Sequence, residues 1–193
     1  MPLVLASASP RRRALLEALS LRFTVVAAAG DGPVSSTDPG KRVLGHAWFK
    51  AHEVAKDHPS AWILAADTLV FGAGEFFPKP QNREHAGEML ERLIALGVHQ
   101  VWTGTWLLSP QGDEFQHLES AEVSFAPIPC AERESYLDGV EWADKAGAYA
   151  IQGWAGQYTT LLEGEFDTVV GLSKTAIFAL FEQAGLSPAA FRR

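Results

Sequence analysis

A carboxylate stands in the middle of the most apolar run of the chain, Trp62-Ile63-Leu64-Ala65-Ala66-Asp67-Thr68-Leu69-Val70-Phe71. An unpaired buried carboxylate is too costly to stay charged, so Asp67 must be protonated, paired, turned toward a cleft or bound to a metal. A structural hydrogen bond to a neighbouring turn is the plainer alternative. Near the start, Leu3-Val4-Leu5-Ala6-Ser7-Ala8-Ser9-Pro10-Arg11-Arg12-Arg13 passes from an apolar stretch through a small polar turn into a basic cluster. Ser9 suits a helix N-cap and Pro10 the first helical position. Arg11, Arg12 and Arg13 then occupy the first turn, beside the positive end of the helix dipole, where an exposed cation costs roughly 0.3–1 kcal/mol. Glu17 is the only local offset. A bound anion would reverse the sign, because helix N–H groups, hydroxyls and guanidinium forks all suit phosphate oxygens. A solvated basic turn is the competing reading.

Other reactive types are scattered along the chain. Lys50 lies at the edge of an apolar helical arc, placed either to snorkel to solvent or to reach into a cleft at the helix border. Lys79 sits between Pro78 and Pro80, which fix the backbone around it and lower the entropy lost on meeting an anion. Asp31, between Gly30 and Gly32, is a turn former or a metal ligand at a strand exit. In Asp144-Lys145-Ala146-Gly147-Ala148-Tyr149, small residues would let a ligand approach the backbone, whereas Asp144 and Lys145 could equally form a surface ion pair worth under about 1 kcal/mol.

The elements that must carry these groups follow from periodicity. Leu3 to Ala6 read as a buried strand, Leu15, Leu16 and Leu19 as a helix face, and Arg22 to Ala27 as the next strand. A second helix is predicted from Lys41 to Lys56, with Val43, Leu44, Ala47, Trp48, Ala51, Val54 and Ala55 as its apolar arc. The strand bearing Asp67 turns at Gly72-Ala73-Gly74-Glu75. Asn82 caps a helix facing inward through Ala86, Met89, Leu90, Leu93 and Ile94, and Gly97 stops it. Strands at His99–Leu108 and Glu114–Phe125 flank a turn at Ser109–Asp113, and Glu132–Leu137 form a short helix. Tyr158–Leu162 and Phe166–Val170 read as a hairpin around Glu163-Gly164-Glu165, and a last helix runs from Ser173 to Ala184.

The 193 residues suffice for one well-packed domain or two small lobes sharing a sheet. A net charge of −7 argues against broad phosphate neutralisation on nucleic acid, while three arginines in one turn suit a small anion. The single cysteine, Cys130, leaves no intrachain disulfide and no thiolate zinc site. With no signal-peptide pattern and no apolar run of membrane-spanning length, the cytoplasm is the expected compartment.

Together these motifs resemble the Maf family, the septum-formation-inhibitor-like nucleotide pyrophosphatases. The resemblance spans nearly the whole chain. It rests on Leu5-Ala6-Ser7-Ala8-Ser9-Pro10-Arg11-Arg12, Lys50-Ala51, Ala66-Asp67-Thr68, Lys79-Pro80, Asp144-Lys145-Ala146-Gly147-Ala148-Tyr149, Ile151-Gln152-Gly153 and Val170-Gly171-Leu172 in the family's order. It implies an α/β fold with an elongated mixed β-sheet and flanking helices, one domain over residues 1–193 with two lobes around a central cleft. It also implies conversion of a nucleoside triphosphate to monophosphate and pyrophosphate with a divalent cation, Mg2+, Mn2+ or Co2+. Carried over by position, Ser7, Arg11, Arg12, Lys50 and Lys79 look like the phosphate-binding set. Asp67 looks like the catalytic carboxylate and a metal ligand, with Asp31 as a candidate second ligand. Arg11, Thr68 and Gln152 resemble the branch acting on dTTP and UTP. A nucleotide-binding regulator of cell division, or a pyrophosphatase for modified nucleotides such as 7-methyl-GTP, is the alternative. No nucleic-acid or membrane partner is expected, and a homodimer is compatible with the resemblance. Four residues depart from the family pattern: Asp31 where the family commonly has Glu, one methylene longer, Phe49 before Lys50, Pro78 before Lys79, and Ser173 after Gly171-Leu172.

Overall fold

A computed structural model describes residues 1–192. Seven strands form one mixed sheet: β1 (Leu3–Leu5), β2 (Thr24–Val25), β3 (Trp62–Gly72), β4 (Glu75–Phe77), β5 (Val98–Leu108), β6 (Glu114–Phe125) and β7 (Thr159–Glu163). Hydrogen bonding runs in the order β2-β1-β3-β5-β6-β7, with β4 paired to β3. The helices are α1 (Pro10–Ala18), α2 (Pro39–Ala55), α3 (Arg83–Leu96), α4 (Cys130–Leu137), α5 (Phe166–Val170) and α6 (Lys174–Gln183). No described helix is long and apolar enough to cross a membrane.

The chain divides into two compact units. The first holds residues 1–67, 103–119 and 171–192, and the second holds residues 68–102 and 120–170. In the first, β1 pairs in parallel with both β2 and β3, with Leu5 opposite Val25 on one side and Leu64 on the other. β1 and β2 therefore deliver the residues that follow them to their common carboxyl end, where ligands bind in parallel sheets, and Asp67 lies on β3 three residues past Leu64, the partner of Leu5. Strand alternation splits the core of this unit. Trp62, Leu64 and Ala66 pack with Leu16, Ile177, Leu180 and Phe181 of α1 and α6, while Ile63 and Ala65 pack with Ala51 and Val54 of α2. Asp67 continues the second series and so faces α2.

Helix α2 begins two residues earlier than periodicity suggests, because Asp38 accepts from the Lys41 amide and Pro39 takes the first position. Its buried stripe is Gly40, Val43, Ala47, Ala51 and Val54. Trp48, expected in that arc, is instead 42% exposed and stacks on His52 one turn along, with ring centroids 4.2 Å apart. It lies one residue, about 100°, beyond Ala47, and that rotation carries it off the buried face. The stripe must be narrow where α2 meets β5. A Cβ on Gly104 would lie 2.8 Å from the Leu44 nitrogen and the Val43 carbonyl carbon, so glycine permits backbone-to-backbone contact.

In the second unit, α3 packs Ala86, Met89, Leu90 and Leu93 against Val70, Phe77, Val101, Val123 and Phe125. Asn82 caps α3 and Gly97 ends it at φ +74°, both as periodicity predicts. The β3–β4 turn places Ala73 and Gly74 at φ +49° and +82°, the paired positive angles of a tight hairpin. Two expected strands change. The Arg22–Ala27 strand shrinks to Thr24–Val25, and Phe166–Val170 is helix α5 rather than the second arm of a hairpin. Gly164, at φ +86°, passes so close to Ser120 and Ala121 of β6 that the chain turns away, and the Thr168 amide closes onto the Glu165 carbonyl. The β-branched run Thr168-Val169-Val170 invites a strand, but burial of Thr168 within a helical turn prevails.

Candidate active site

Parallel β1 ends at Leu5, the Ala6 amide still bonds the Leu64 carbonyl at 2.8 Å, and the chain then breaks from the sheet into α1. Ser9 has extended backbone angles, and its hydroxyl accepts from the Arg12 amide, so the first turn of α1 is capped as predicted. Ser7 is buried; its hydroxyl accepts from the Ser9 amide at 3.2 Å and from Arg12 Nη1 at 3.1 Å. Arg12 Nε donates to the Gly171 carbonyl at 2.7 Å. Gly171 has φ +116°, a conformation that L side chains rarely adopt, and it closes the Val170-Gly171-Leu172 motif onto this helix start. Burial pulls the Arg12 guanidinium below its ordinary range, Asp67 opposes this by pulling it up, and neighbouring Arg11 pushes it further down. Arg13 points the other way and pairs with Glu17 at 2.8 Å on the exposed face.

The three arginines are therefore not equivalent. Arg12 is built into the fold, Arg13 belongs to solvent, and Arg11 is partly buried beside Arg12.

The same sheet edge carries the acidic groups. Lys50 reaches inward from α2 and places Nζ 2.6 Å from Asp67 Oδ1 and 2.6 Å from Asp31 Oδ1. His46, one turn earlier on α2, lies with Nδ1 2.9 Å from Asp67 Oδ2. The side chains of Lys50, Asp67 and His46 are only 11%, 13% and 14% exposed, whereas Asp31 is 55% exposed. Burial pushes the Asp67 carboxyl up, but the His46 hydrogen bond, the Lys50 and Arg12 charges and the Lys50 hydrogen bond together hold it at about 2. Asp67 is thus a carboxylate at neutral pH, and a carboxylate only accepts, so His46 donates from Nδ1. Of the sequence alternatives, Lys50 reaches inward rather than snorkelling, and Asp67 is paired rather than protonated.

Asp31 is held in place through its loop. The Ala29 amide donates to Glu53 of α2 at 2.9 Å. Gly32 sits at φ +77° with Phe49 so close that a Cβ there would overlap the ring. Phe49, a departure from the family pattern, is therefore the wall against which the Asp31 turn rests.

Lys79, Thr68 and Gln152 belong to the second unit. Lys79 is exposed, and the preceding Pro78 carbonyl accepts from the Gly147 amide at 3.2 Å, tying the Pro-Lys-Pro loop to the Asp144–Tyr149 segment. Asp144 and Lys145 pair at 2.6 Å, with Asp144 exposed but the Lys145 side chain largely buried and its Nζ also donating to the Glu141 carbonyl. Gln152 is exposed, and the adjacent Gly153-Trp154 is pinned where the Trp154 amide donates to Glu141 Oε1 at 3.2 Å. Thr68 follows Asp67 on β3 and by alternation faces the other side.

His46 is the residue that sequence reading overlooked. Its one signal was the i, i+4 spacing to Lys50.

A family model described as Maf-like protein matches residues 2–184. The chain belongs to the Maf-like family. The dTTP/UTP pyrophosphatase of Myxococcus xanthus (strain DK1622) is 43% identical over 185 residues, covering 95% of this chain and 93% of that protein. The dTTP/UTP pyrophosphatase of Latilactobacillus sakei subsp. sakei (strain 23K) is 41% identical over 180 residues, covering 93% and 98%. Among solved structures, the Staphylococcus aureus Ham1 protein superposes with a TM-score of 0.50 at 14% identity, covering 99% of this chain and 93% of that one. That likeness is one of fold alone. The mixed sheet with flanking helices expected from sequence is the fold observed.

Proposed function

We propose that this chain is a nucleoside triphosphate pyrophosphatase that converts dTTP and UTP to the monophosphate and pyrophosphate. The observation that carries the chemistry is the Asp67 carboxylate, kept ionised among His46, Lys50 and Arg12 at the sheet edge where α1 begins. The support for the bases is the similarity to relatives named as dTTP/UTP pyrophosphatases over nine-tenths of their length.

Hydrolysis at the α-phosphorus needs the triphosphate charge offset, a water aligned for in-line attack and pyrophosphate stabilised as it leaves. The α1 N-terminus with Ser7, Arg11 and Arg12 binds the triphosphate, and Lys50 and Lys79 supply further positive charge. Arg12 acts with its guanidinium fixed by Gly171 and Ser7, so its charge is preorganised and little reorganisation accompanies binding. Asp67 orients the attacking water and accepts its proton at an oxygen.

The donor set fits a divalent cation. Lys50 Nζ, held 2.6 Å from one oxygen of each of Asp31 and Asp67, marks where positive charge is accommodated between two carboxylates. Among the described residues no group of three or more His, Cys, Asp or Glu is arranged to hold a metal alone. Asp31 and Asp67 would hold it jointly with phosphate oxygens, which suits Mg2+ or Mn2+, ions that keep few protein ligands. When bound, such an ion neutralises phosphate charge and lowers the pKa of a coordinated water.

For the base, we assign Arg11, Thr68 and Gln152, the last because an amide offers donor and acceptor together to a pyrimidine edge. The test is pyrophosphate release from dTTP, UTP, CTP, GTP and 7-methyl-GTP with Mg2+, Mn2+ or Co2+. Release led by dTTP and UTP is expected, and release led by a purine would overturn the base assignment. A cytoplasmic setting and a homodimer complete the proposal, the latter tested by sedimentation.

A further inference from the structure

Resting on the pyrophosphatase reading, we infer that His46 is a positioning residue for that reaction: its Nδ1–H holds Asp67 Oδ2 and so fixes the plane of the carboxylate that orients the attacking water. Asp67 has two side-chain anchors, and they differ in what else they serve. Lys50 holds Oδ1 at 2.6 Å but holds Asp31 at the same distance, and as a mobile point charge it is also drawn toward any phosphate entering the site. Sharing one ammonium among two carboxylates and a triphosphate weakens its grip on Asp67 when substrate is bound. His46 has no such competing carboxylate among the described residues. Its ring meets Oδ2 at 2.9 Å from the same helix, 14% exposed, one turn from Lys50 and flanked by the buried Val43 and Ala47. The helix carrying it is pressed onto β5 through Gly104, so the donor is fixed by rigid elements on both sides. A carboxylate held at only one oxygen rotates about its Cβ–Cγ bond, and misplacement of this kind lowers turnover more than binding.

The experiment compares wild type, His46→Leu and His46→Asn in steady-state pyrophosphate release from dTTP, with ring-nitrogen resonances of the metal-free protein recorded at pH 8. Leucine keeps the volume and helix propensity without a donor. Asparagine presents an amide N–H close to where Nδ1–H stands. Loss of an outer hydrogen bond of this type costs about 10- to 100-fold. His46→Leu is therefore expected to lower kcat by about 10- to 100-fold with KM changed less than about threefold, and His46→Asn to restore kcat to within about fivefold of wild type. In the metal-free protein the His46 Nδ1 resonance is expected to be that of a protonated nitrogen. An active wild type with His46→Leu at full kcat, an effect confined to KM, or an unprotonated Nδ1 would each overturn the inference while leaving the pyrophosphatase reading intact. An inactive wild type would remove that reading and, with it, the positioning role.

Discussion

Lowering the pH from about 7.5 to 5 should destabilise this protein through one buried histidine of the second unit. His99 on β5 is 2% exposed, its Nε2 lies 2.6 Å from the Tyr149 hydroxyl, and its Nδ1 has no hydrogen-bond partner among the described residues. Burial pulls its pKa from 6.5 down to about 4. Because the unfolded chain binds a proton more readily, stability is full above about pH 6.5 and is lost as pH falls toward 4. With those two values the linkage relation gives a loss of about 2 kcal/mol by pH 5 and about 3 kcal/mol by pH 4. Asp67 acts in a different window. Its pKa is lowered from 3.8 to about 2, so its contribution of about 2 kcal/mol is present above pH 4 and lost only as pH falls from there toward 2. Urea unfolding at pH 7.5 and pH 5, compared for wild type and His99→Gln, separates the two. Glutamine can still bond the Tyr149 hydroxyl but does not titrate. Wild type should lose about 2 kcal/mol more than His99→Gln over this interval; equal losses in the two proteins would refute the reasoning.

Other substitutions read out individual contacts. Arg12→Ala leaves the Gly171 carbonyl without its guanidinium donor and removes a buried charge beside Asp67, so it should cost about 2–3 kcal/mol in urea unfolding. Arg12→Lys should not recover this, since one ammonium cannot reproduce the guanidinium fork. Arg11→Ala, by contrast, should raise KM for dTTP and flatten its salt dependence with a stability change under about 0.5 kcal/mol. Gly104→Ala drives a Cβ into the α2 backbone and should cost about 1–3 kcal/mol while lowering kcat, because α2 carries both His46 and Lys50; a variant of unchanged stability and turnover would remove Gly104 from the account.

Local chemistry made much of this fold readable. Asn82 and Gly97 bound α3, Ser9 and Pro10 start α1, and the glycine-rich turn between β3 and β4 announces its own backbone angles. Asp67 was conspicuous because a charge in an apolar strand demands a partner. The partner's identity was not legible, since it depends on which face of α2 meets that strand, a tertiary fact. Lys50 was suspected from its place at the edge of the arc, while His46 offered only its i, i+4 spacing to Lys50. Trp48 misled for the same reason. Hydrophobicity assigned it to the core, but the close approach of α2 to Gly104 leaves a stripe only of small residues and Val. Arg12 shows the limit from another side. Three arginines in a row look alike in sequence, yet only packing against Gly171 and Ser7 decides which one has its guanidinium anchored. At Phe166–Val170, β-branched composition was outweighed by a turn that β6 forces at Gly164.

The central claim is that Asp67 is the group on which hydrolysis depends. Its most direct test is pyrophosphate release from dTTP with Mg2+ by wild type and Asp67→Asn, with dTTP binding measured on both by calorimetry. The substitution is nearly isosteric, and the amide oxygen can still accept from one of Lys50 and His46, while the other loses its acceptor to the amide NH2. Turnover by Asp67→Asn should fall at least about 100-fold while the dissociation constant for dTTP moves less than about tenfold. Turnover by Asp67→Asn within about threefold of wild type would contradict the claim.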